Sequence, residues 1–212
     1  IHKNEWIEAD TWPPANSRMT HFYLTETGTL SDKPAAEEKV FDFIDDPLDP
    51  FPSLGGTFLG VGVGPARQNP NSERNDQIVF HSAPLFEPLI LLGPIKATLY
   101  FSSDVTNTEL FVSLQEVRPN GDIINIQEGG TKVTQNGRDP QKLDISIWPT
   151  GYQIHSGHKI RIVITSSLFP RYNRSLNTGE AIFTAIQYKT ARQKIYTGQE
   201  YPSSVSLPVF KE

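Results

Sequence analysis

Alternation of apolar and polar residues recurs along the chain and limits the folds open to it. Five segments show this period of two, and they begin near residues 95, 109, 142, 158 and 203. In the segment IKATLYFSS, every second residue from Ile95 to Phe101 is apolar. Because successive side chains of a strand point to opposite faces of a sheet, these segments predict strands with one buried face.

Turn residues separate the alternating segments and leave little room for helices. The chain has 17 prolines and 15 glycines, and RPNGD at 118–122 is a hairpin signal. The best helix candidate, Ala35 to Phe43, is short, and the thirty or so residues from Asp45 to Asp76 resemble a long loop. With no helices between strands, the sheets are expected to be antiparallel. The prediction is an all-β sandwich.

Composition excludes several classes of partner and site. The net charge is −5, and lysine and arginine are scattered singly, which argues against a nucleic-acid partner or a basic membrane-binding patch. No apolar run reaches the ~18 residues of a membrane span. The absence of cysteine excludes disulfides and thiolate metal sites, and it favours a cytoplasmic location without excluding secretion. The first residue, Ile1, suggests a piece of a longer protein.

None of the short motifs predicts a catalytic residue, a metal site or a cofactor. The segment LGVGVGP at 59–65 lacks the Lys-Ser/Thr and the helix of a phosphate-binding loop. The pair His155 and His158 has no nearby carboxylate cluster, and the prolines of DDPLDP break the spacing of a calcium loop. No Gly-x-Ser-x-Gly sequence is present, so no nucleophile elbow is predicted.

The three tryptophans, Trp6, Trp12 and Trp148, leave two interpretations open. If they are exposed on a β-sandwich, they could form a sugar-stacking platform, as in a free-standing carbohydrate-binding module. Alternatively, they pack in the core or against another domain, which is the interpretation favoured here.

Several segments, read in order, resemble one known family. They include LGP at 92–94, WPT at 148–150, GH-x-IR at 157–161 and FPR-x-x-R-x-x-NTG at 169–179. From about Trp12 to Val209 the chain is similar to the C-terminal domain of the X-Pro dipeptidyl-peptidase and cocaine-esterase (CocE/NonD) group of serine hydrolases. The resemblance implies a jelly-roll sandwich of the galactose-binding-like type.

The resemblance also implies that the chemistry lies elsewhere. In this family the Ser, Asp and His of the catalytic triad belong to a preceding α/β-hydrolase domain. No triad motif has a match here, so the chain is expected to lack esterase or peptidase activity by itself. Residues 1–15 are expected to form an arm from that absent domain, and residues 16–212 the jelly-roll domain. The parent's substrate, an acyl ester or an X-Pro peptide, stays open.

One polar and aromatic stretch directly after an alternating segment is interpreted as a structural corner. Proline ends a strand because it cannot donate to the ladder, arginine can bind carbonyl groups, and asparagine and glycine accept a positive φ. The residues assigned to this corner are Phe169, Pro170, Arg171, Arg174, Asn177 and Gly179.

One face of the domain is expected to pack on the hydrolase domain and to help form its active-site cleft. The arm and the long loop both carry apolar residues that an isolated sandwich has little reason to display. An interface of ordinary size would bury roughly 800 Å² per side, and without its partner this surface could support self-association. The candidates for interdomain contact are Trp6, Trp12, Pro13, Phe51, Leu54 and Phe58.

Overall fold

Strands dominate the computed structural model of the chain, which describes residues 6–58, 62–137, 139–180 and 183–211. Within these ranges there is one short 3-10 turn, Asn69–Asn71, and no α-helix. Residues 59–61 of the glycine-rich segment lie outside the described residues. The eleven strands are β1 (Ser17–Leu24), β2 (Leu30–Ser31), β3 (Lys39–Asp45), β4 (Ile78–His81), β5 (Leu89–Ser103), β6 (Asn107–Val117), β7 (Ile123–Thr134), β8 (Gln141–Ile154), β9 (Lys159–Thr165), β10 (Ala191–Thr197) and β11 (Ser204–Phe210).

The strands form two sheets with antiparallel pairing between neighbours. The larger sheet has seven strands in the order β2-β1-β11-β5-β10-β3, with β8 paired along the other edge of β5. The smaller sheet has four strands in the order β4-β9-β6-β7. The predicted all-β sandwich is therefore confirmed, and the galactose-binding-like subtype stays a prediction. The boundary between an arm at 1–15 and the domain also stays a prediction, although β1 begins at Ser17.

The main core lies between the two sheets and contains the alternating residues. Leu99 and Phe101 of β5 face Leu110, Val112 and Leu114 of β6 in one buried cluster. Because all five are fully buried, each stabilises the fold by about 1.5–3 kcal/mol through the hydrophobic effect. The predicted inward faces of these strands are confirmed.

The segment Ala35 to Phe43, which is the best helix candidate in the sequence, forms no helix in the structure. Its second half belongs to β3, which pairs with β10 along its whole length. Phe43 is buried and Phe41 packs against the core, whereas the intervening Asp42 is exposed. This period of two decides the structure, because tertiary pairing outweighs the weak helix preference of the preceding Ala and Glu residues.

Candidate functional site

The segment that precedes β1 contacts the outer face of the seven-stranded sheet at Pro13. Pro208 of β11 lies on that face because its neighbours Leu207 and Val209 point to the core. Gly93 of β5 leaves room for this contact, since a methyl group there would lie 2.9 Å from Cβ of Pro13 and 3.0 Å from Cβ of Pro208. The arm is therefore in contact with the domain at Pro13.

All three tryptophans are exposed. Trp6 is fully exposed, Trp12 is 60% exposed and Trp148 is 56% exposed, so packing in the core is excluded for them. Trp148 lies in β8 where the pairing with β5 shifts between Gly93 and Ile95. The arm reaches the same stretch of β5 through Pro13. We call Trp12, Pro13 and Trp148 the arm surface.

The long loop lies on the opposite side of the sandwich, over the four-stranded sheet. Gln68 Nε2 donates to the Leu54 carbonyl at 2.7 Å, and the Gln68 amide donates to Ile123 of β7 at 2.7 Å. Leu54 is half-buried and Phe58 is 41% exposed. The predicted interface is therefore divided between two faces, because the arm and the loop cover different sheets.

Phe51 does not present its ring to a partner, and its assignment as a contact residue is corrected. It is 3% exposed and packs in a second core with Phe111, Val163 and Leu168. Phe111 and Val163 alternate with residues of the main core, so they point to the outer face of the four-stranded sheet. The loop covers this second apolar face, and Phe51 is its anchor.

The corner joins the long loop by backbone hydrogen bonds. The Phe169 amide donates to the Phe51 carbonyl at 2.9 Å, and the Ser53 amide donates to the Phe169 carbonyl at 2.7 Å. Strand β9 ends at Thr165, before Phe169 is reached. Pro170 therefore does not end the strand, contrary to expectation, and it belongs to the following turn.

The two arginines of the corner bind different partners. Arg174 donates to the carbonyl of Pro47, as expected for a guanidinium group at a corner. Arg171 instead pairs with the carboxylate of Glu128 on β7, and it donates to Thr57 Oγ1 at 2.8 Å. Burial raises the pKa of Glu128, and the charge and hydrogen bond of Arg171 lower it in part. The corner is thus fixed to the four-stranded sheet by an ion pair that is nearly inaccessible to water.

Asn177 and Gly179 have the positive φ angles expected of them, 59° and 78°. Asn177 Nδ2 donates to Asp45 Oδ2 at 2.7 Å and to the Lys189 carbonyl at 3.1 Å. A methyl group on Gly179 would lie 2.5 Å from Nδ2 of Asn107. The backbone of this segment is therefore set by close contacts and by one buried carboxylate.

A cleft of about 570 Å³ lies between the corner and the outer face of the four-stranded sheet. The rings of Phe111 and Tyr172 lie 4.9 Å apart in its wall. Glu109, Lys132 and Glu180 supply charged groups around it. The cleft has the size of a small-molecule pocket, but its open shape and mixed charges select no ligand class.

Asp45 is the most perturbed carboxyl group at the corner. Burial raises its pKa to about 6, the hydrogen bond from Asn177 lowers it, and the charges of Asp76 and Asp46 raise it further. Between its ordinary pKa and pH 6, the unfolded chain therefore ionises Asp45 while the folded chain keeps it protonated. Unfolding releases a proton in this window, so the contribution of Asp45 to stability falls as pH rises.

We expect Asp45→Asn to remove this part of the pH dependence. In the unsubstituted domain, Asp45 should lower the free energy of unfolding by about 3 kcal/mol as the pH rises from about 4 to 6. The amide of the variant does not ionise. The difference in the free energy of unfolding between the two proteins should therefore change across this window and stay constant above it. Urea denaturation at several pH values measures it, and parallel curves for the two proteins would contradict the assignment.

The described residues hold one serine–histidine hydrogen bond. Ser206 Oγ and His21 Nδ1 lie 2.9 Å apart, and the two residues are directly opposite each other on β11 and β1. Among the described residues no carboxylate binds His21, so the pair lacks the orienting group of a catalytic triad. The geometry is that of a cross-strand contact on the sheet surface.

The turn with His155 and His158 closes onto a buried carboxylate. His158 Nδ1 lies 2.7 Å from Glu116 Oε1, and Tyr152 donates its hydroxyl to Glu116 Oε2 at 3.0 Å.

Within the part of the chain that the structure describes, no three His, Cys, Asp or Glu residues are placed to hold a metal ion. In the same part, no helix has the length and hydropathy that a membrane span requires.

The comparison with protein families agrees with the β-sandwich formed by the described residues. The family described as X-Pro dipeptidyl-peptidase C-terminal non-catalytic domain matches residues 1–206. The chain therefore belongs to this family, and it is a non-catalytic C-terminal domain of the kind found in X-Pro dipeptidyl-peptidases and CocE/NonD hydrolases.

Relatives of this chain are longer proteins. Cocaine esterase of Rhodococcus sp. is 31% identical over 231 residues, which cover 98% of this chain and 40% of the esterase. The chain thus spans about two fifths of the length of that relative. An archaeal aminopeptidase from Thaumarchaeota has the same fold, with a TM-score of 0.88 and 23% identity over 99% of this chain and 39% of its own. An α-amino acid ester hydrolase has a TM-score of 0.85 and 24% identity over 98% of this chain and 39% of its own.

Proposed function

We propose that this domain packs on an α/β-hydrolase catalytic domain of the same parent chain and helps to shape its active-site cleft. The observation that carries the proposal is the length of the relatives. Cocaine esterase matches almost all of this chain with only 40% of its own sequence, so most of that enzyme lies outside the matched region. A non-catalytic domain joined to so large a remainder acts through its contact with it.

The arm surface supports this proposal. Trp12 and Trp148 are large aromatic side chains that the domain itself leaves more than half exposed. Aromatic residues of this kind are the usual anchors of protein interfaces. Trp6, fully exposed and further along the arm, extends the surface toward the N-terminus. Leu54 and Phe58 lie over the four-stranded sheet, away from the arm surface. Their contact with a hydrolase domain stays a prediction, and it would require that domain to reach both faces of the sandwich.

The substrate of the parent enzyme belongs to one of two classes. The relatives are named for ester hydrolysis and peptide hydrolysis. In serine hydrolases both reactions begin with attack of a serine on an acyl carbon, with a histidine as the base, and the sequence of this domain contains no triad motif. We propose hydrolysis of acyl esters or X-Pro peptides by the parent, with this domain controlling access and not chemistry.

We expect Trp12→Asp in the full-length parent enzyme to raise KM and lower the melting temperature. The substitution places a charge in an apolar contact and would cost about 2 kcal/mol or more if Trp12 is an anchor. The isolated domain should keep its own stability, because the Trp12 side chain is largely in solvent. Steady-state kinetics and thermal melting of the full-length and isolated proteins measure both effects.

Phe86→Asp is the matched control, since Phe86 is 95% exposed and belongs to neither the arm nor the long loop. Unchanged kinetics and melting in Trp12→Asp would remove the proposal. Saturable binding of the isolated domain to a glycan array, lost in Trp12→Asp, would favour the carbohydrate-binding alternative.

A further inference from the structure

Several exposed apolar side chains lie on the two segments that hydrogen-bond to the corner. Phe183 and Ile186 are 91% and 92% exposed, and Tyr188 is half-exposed. Ile44 and Leu48, at the end of β3 and just beyond it, are 42% and 56% exposed. Single exposed apolar residues are ordinary, but five around one corner require a reason. We call these five residues the corner patch.

Hydrogen bonds fix the two segments of the corner patch to each other. Asn177 donates to Asp45 and to the Lys189 carbonyl, and Arg174 donates to the Pro47 carbonyl. The Lys189 amide donates to the Leu176 carbonyl at 3.0 Å, which closes the base of the loop that carries Phe183 and Ile186. The backbone segments that carry the apolar side chains are thus held together by hydrogen bonds.

An acidic cleft borders the patch. It has a volume of about 490 Å³, includes Ile44, and is lined by five carboxylates and one arginine, Arg74. Arg74 pairs with Asp49 and Asp76, and Arg192 pairs with Asp42. Among the described residues, Asp46 and Glu73 have no ion-pair partner. The patch therefore has a negatively charged border on the side of Ile44.

We infer that the corner patch is a second docking surface for the catalytic domain of the parent chain, separate from the arm surface. This inference rests on the proposed function. The matching surface of the catalytic domain is apolar where it meets Phe183 and Ile186, and it carries lysine or arginine opposite Asp46 and Glu73. Such an arrangement buries the apolar side chains and supplies the missing positive charge.

The acidic border argues against a second copy of this chain as the occupant. A two-fold symmetric contact would place the same patch on both sides of the interface and bring two acidic clefts to it. Like charges at an interface oppose association. The large remainder of the related enzymes, about three fifths of the cocaine esterase sequence by difference from the matched 40%, offers a different surface.

Hydroxyl-radical footprinting tests the inference by comparing the full-length parent protein with the isolated domain. Phe183, Ile186 and Tyr188 should react several-fold more slowly in the full-length protein, because docking removes them from water. Phe86 should react equally in both proteins and is the internal control. High salt should weaken the protection, since it screens the charges at the border.

Trp12 separates this inference from the proposed function in the same experiment. Protection of Trp12 without protection of the corner patch overturns the inference and leaves the proposed function standing. Protection of neither residue set overturns both. Protection of the patch in the isolated domain that grows with its concentration identifies a second copy as the occupant and also overturns the inference.

A double variant, Phe183→Asp with Ile186→Asp, provides an independent test. Both side chains are more than nine-tenths exposed, so the melting temperature of the isolated domain should not change. In the full-length protein the variant should restore the reactivity of Tyr188 to that of the isolated domain. Tyr188 that stays protected in the variant, as it should in Phe86→Asp, would overturn the inference.

Discussion

Replacing Arg171 with methionine is expected to lower the free energy of unfolding of the isolated domain by about 3–5 kcal/mol. The guanidinium group of Arg171 pairs with the Glu128 carboxylate, and the two side chains are only 7% and 6% exposed. Without Arg171 the carboxylate would stay in a place that water does not reach. Gly56 packs directly against the ion pair, since a methyl group there would lie 2.7 Å from Glu128 Oε1 and 2.8 Å from Arg171 Nη1.

The pH dependence of the Arg171→Met variant should identify Glu128 as the cause. Burial already raises the pKa of Glu128 in the presence of Arg171, and loss of the arginine removes the charge that opposes this rise. In the variant, protonated Glu128 is neutral and tolerated at low pH, whereas its ionised form is not. The loss of stability should therefore grow as pH rises, and urea denaturation at acid and neutral pH measures it.

Arg192→Ala is the matched control for the Arg171 experiment. Arg192 also pairs with a carboxylate, Asp42, but these side chains are 52% and 43% exposed. Exposed ion pairs contribute at most about 1 kcal/mol. Adding Glu128→Leu to Arg171→Met should recover much of the loss, because no buried charge then remains. If Arg171→Met lowers the free energy of unfolding no more than Arg192→Ala does, the ion pair does not stabilise the corner.

The pair of Arg171 and Glu128 also shows why the corner could be located from the sequence but not explained by it. The density of turn-forming residues at 169–179 indicated a corner, and the φ angles of Asn177 and Gly179 follow from their residue types. The partners of the arginines are set by tertiary folding. Glu128 is 43 positions away from Arg171, and Pro47 is 127 positions away from Arg174. No local pattern encodes such contacts.

Some of the strands could likewise be predicted from the sequence, and others could not. Central strands such as β5 and β6 bury a complete face, so their alternation is evident in the sequence. In β1 only Leu24 is buried, and in β3 only Phe43 and Asp45 are. Strands that bury so few residues show weak periodicity, which is why part of β3 could be considered a helix candidate.

The second core was missed although the sequence contains a signal for it. In β9, Val163 stands between Ile162 and Ile164, so three successive residues are apolar and one of them points to the outer face. Such a run is typical of a strand covered on both sides. The alternating segments predict strands with one buried face, which leaves the apolar residues of the long loop without a place in the core and favours a partner for them. Phe51 in fact covers Val163 and Phe111 within the chain.

Phe51→Ala is therefore expected to lower the free energy of unfolding of the isolated domain by about 3–5 kcal/mol, as for other buried aromatic residues. The ring is 3% exposed, contacts Phe111, Val163 and Leu168, and has the Arg74 guanidinium 5.7 Å from its centre. Removing it opens a cavity between the loop and the sheet. Phe58→Ala is the matched control, because Phe58 is in the same loop and 41% exposed.

Urea denaturation of the isolated domain separates a core role of Phe51 from an interface role. A core residue destabilises the isolated domain when it is truncated, whether or not a catalytic domain is present. An interface residue would leave the isolated domain unchanged and weaken only the full-length enzyme. If Phe51→Ala and Phe58→Ala lower the free energy of unfolding of the isolated domain by equal, small amounts, Phe51 is an interface residue and not a core residue. A large loss for Phe51→Ala alone would establish that the loop is part of the fold.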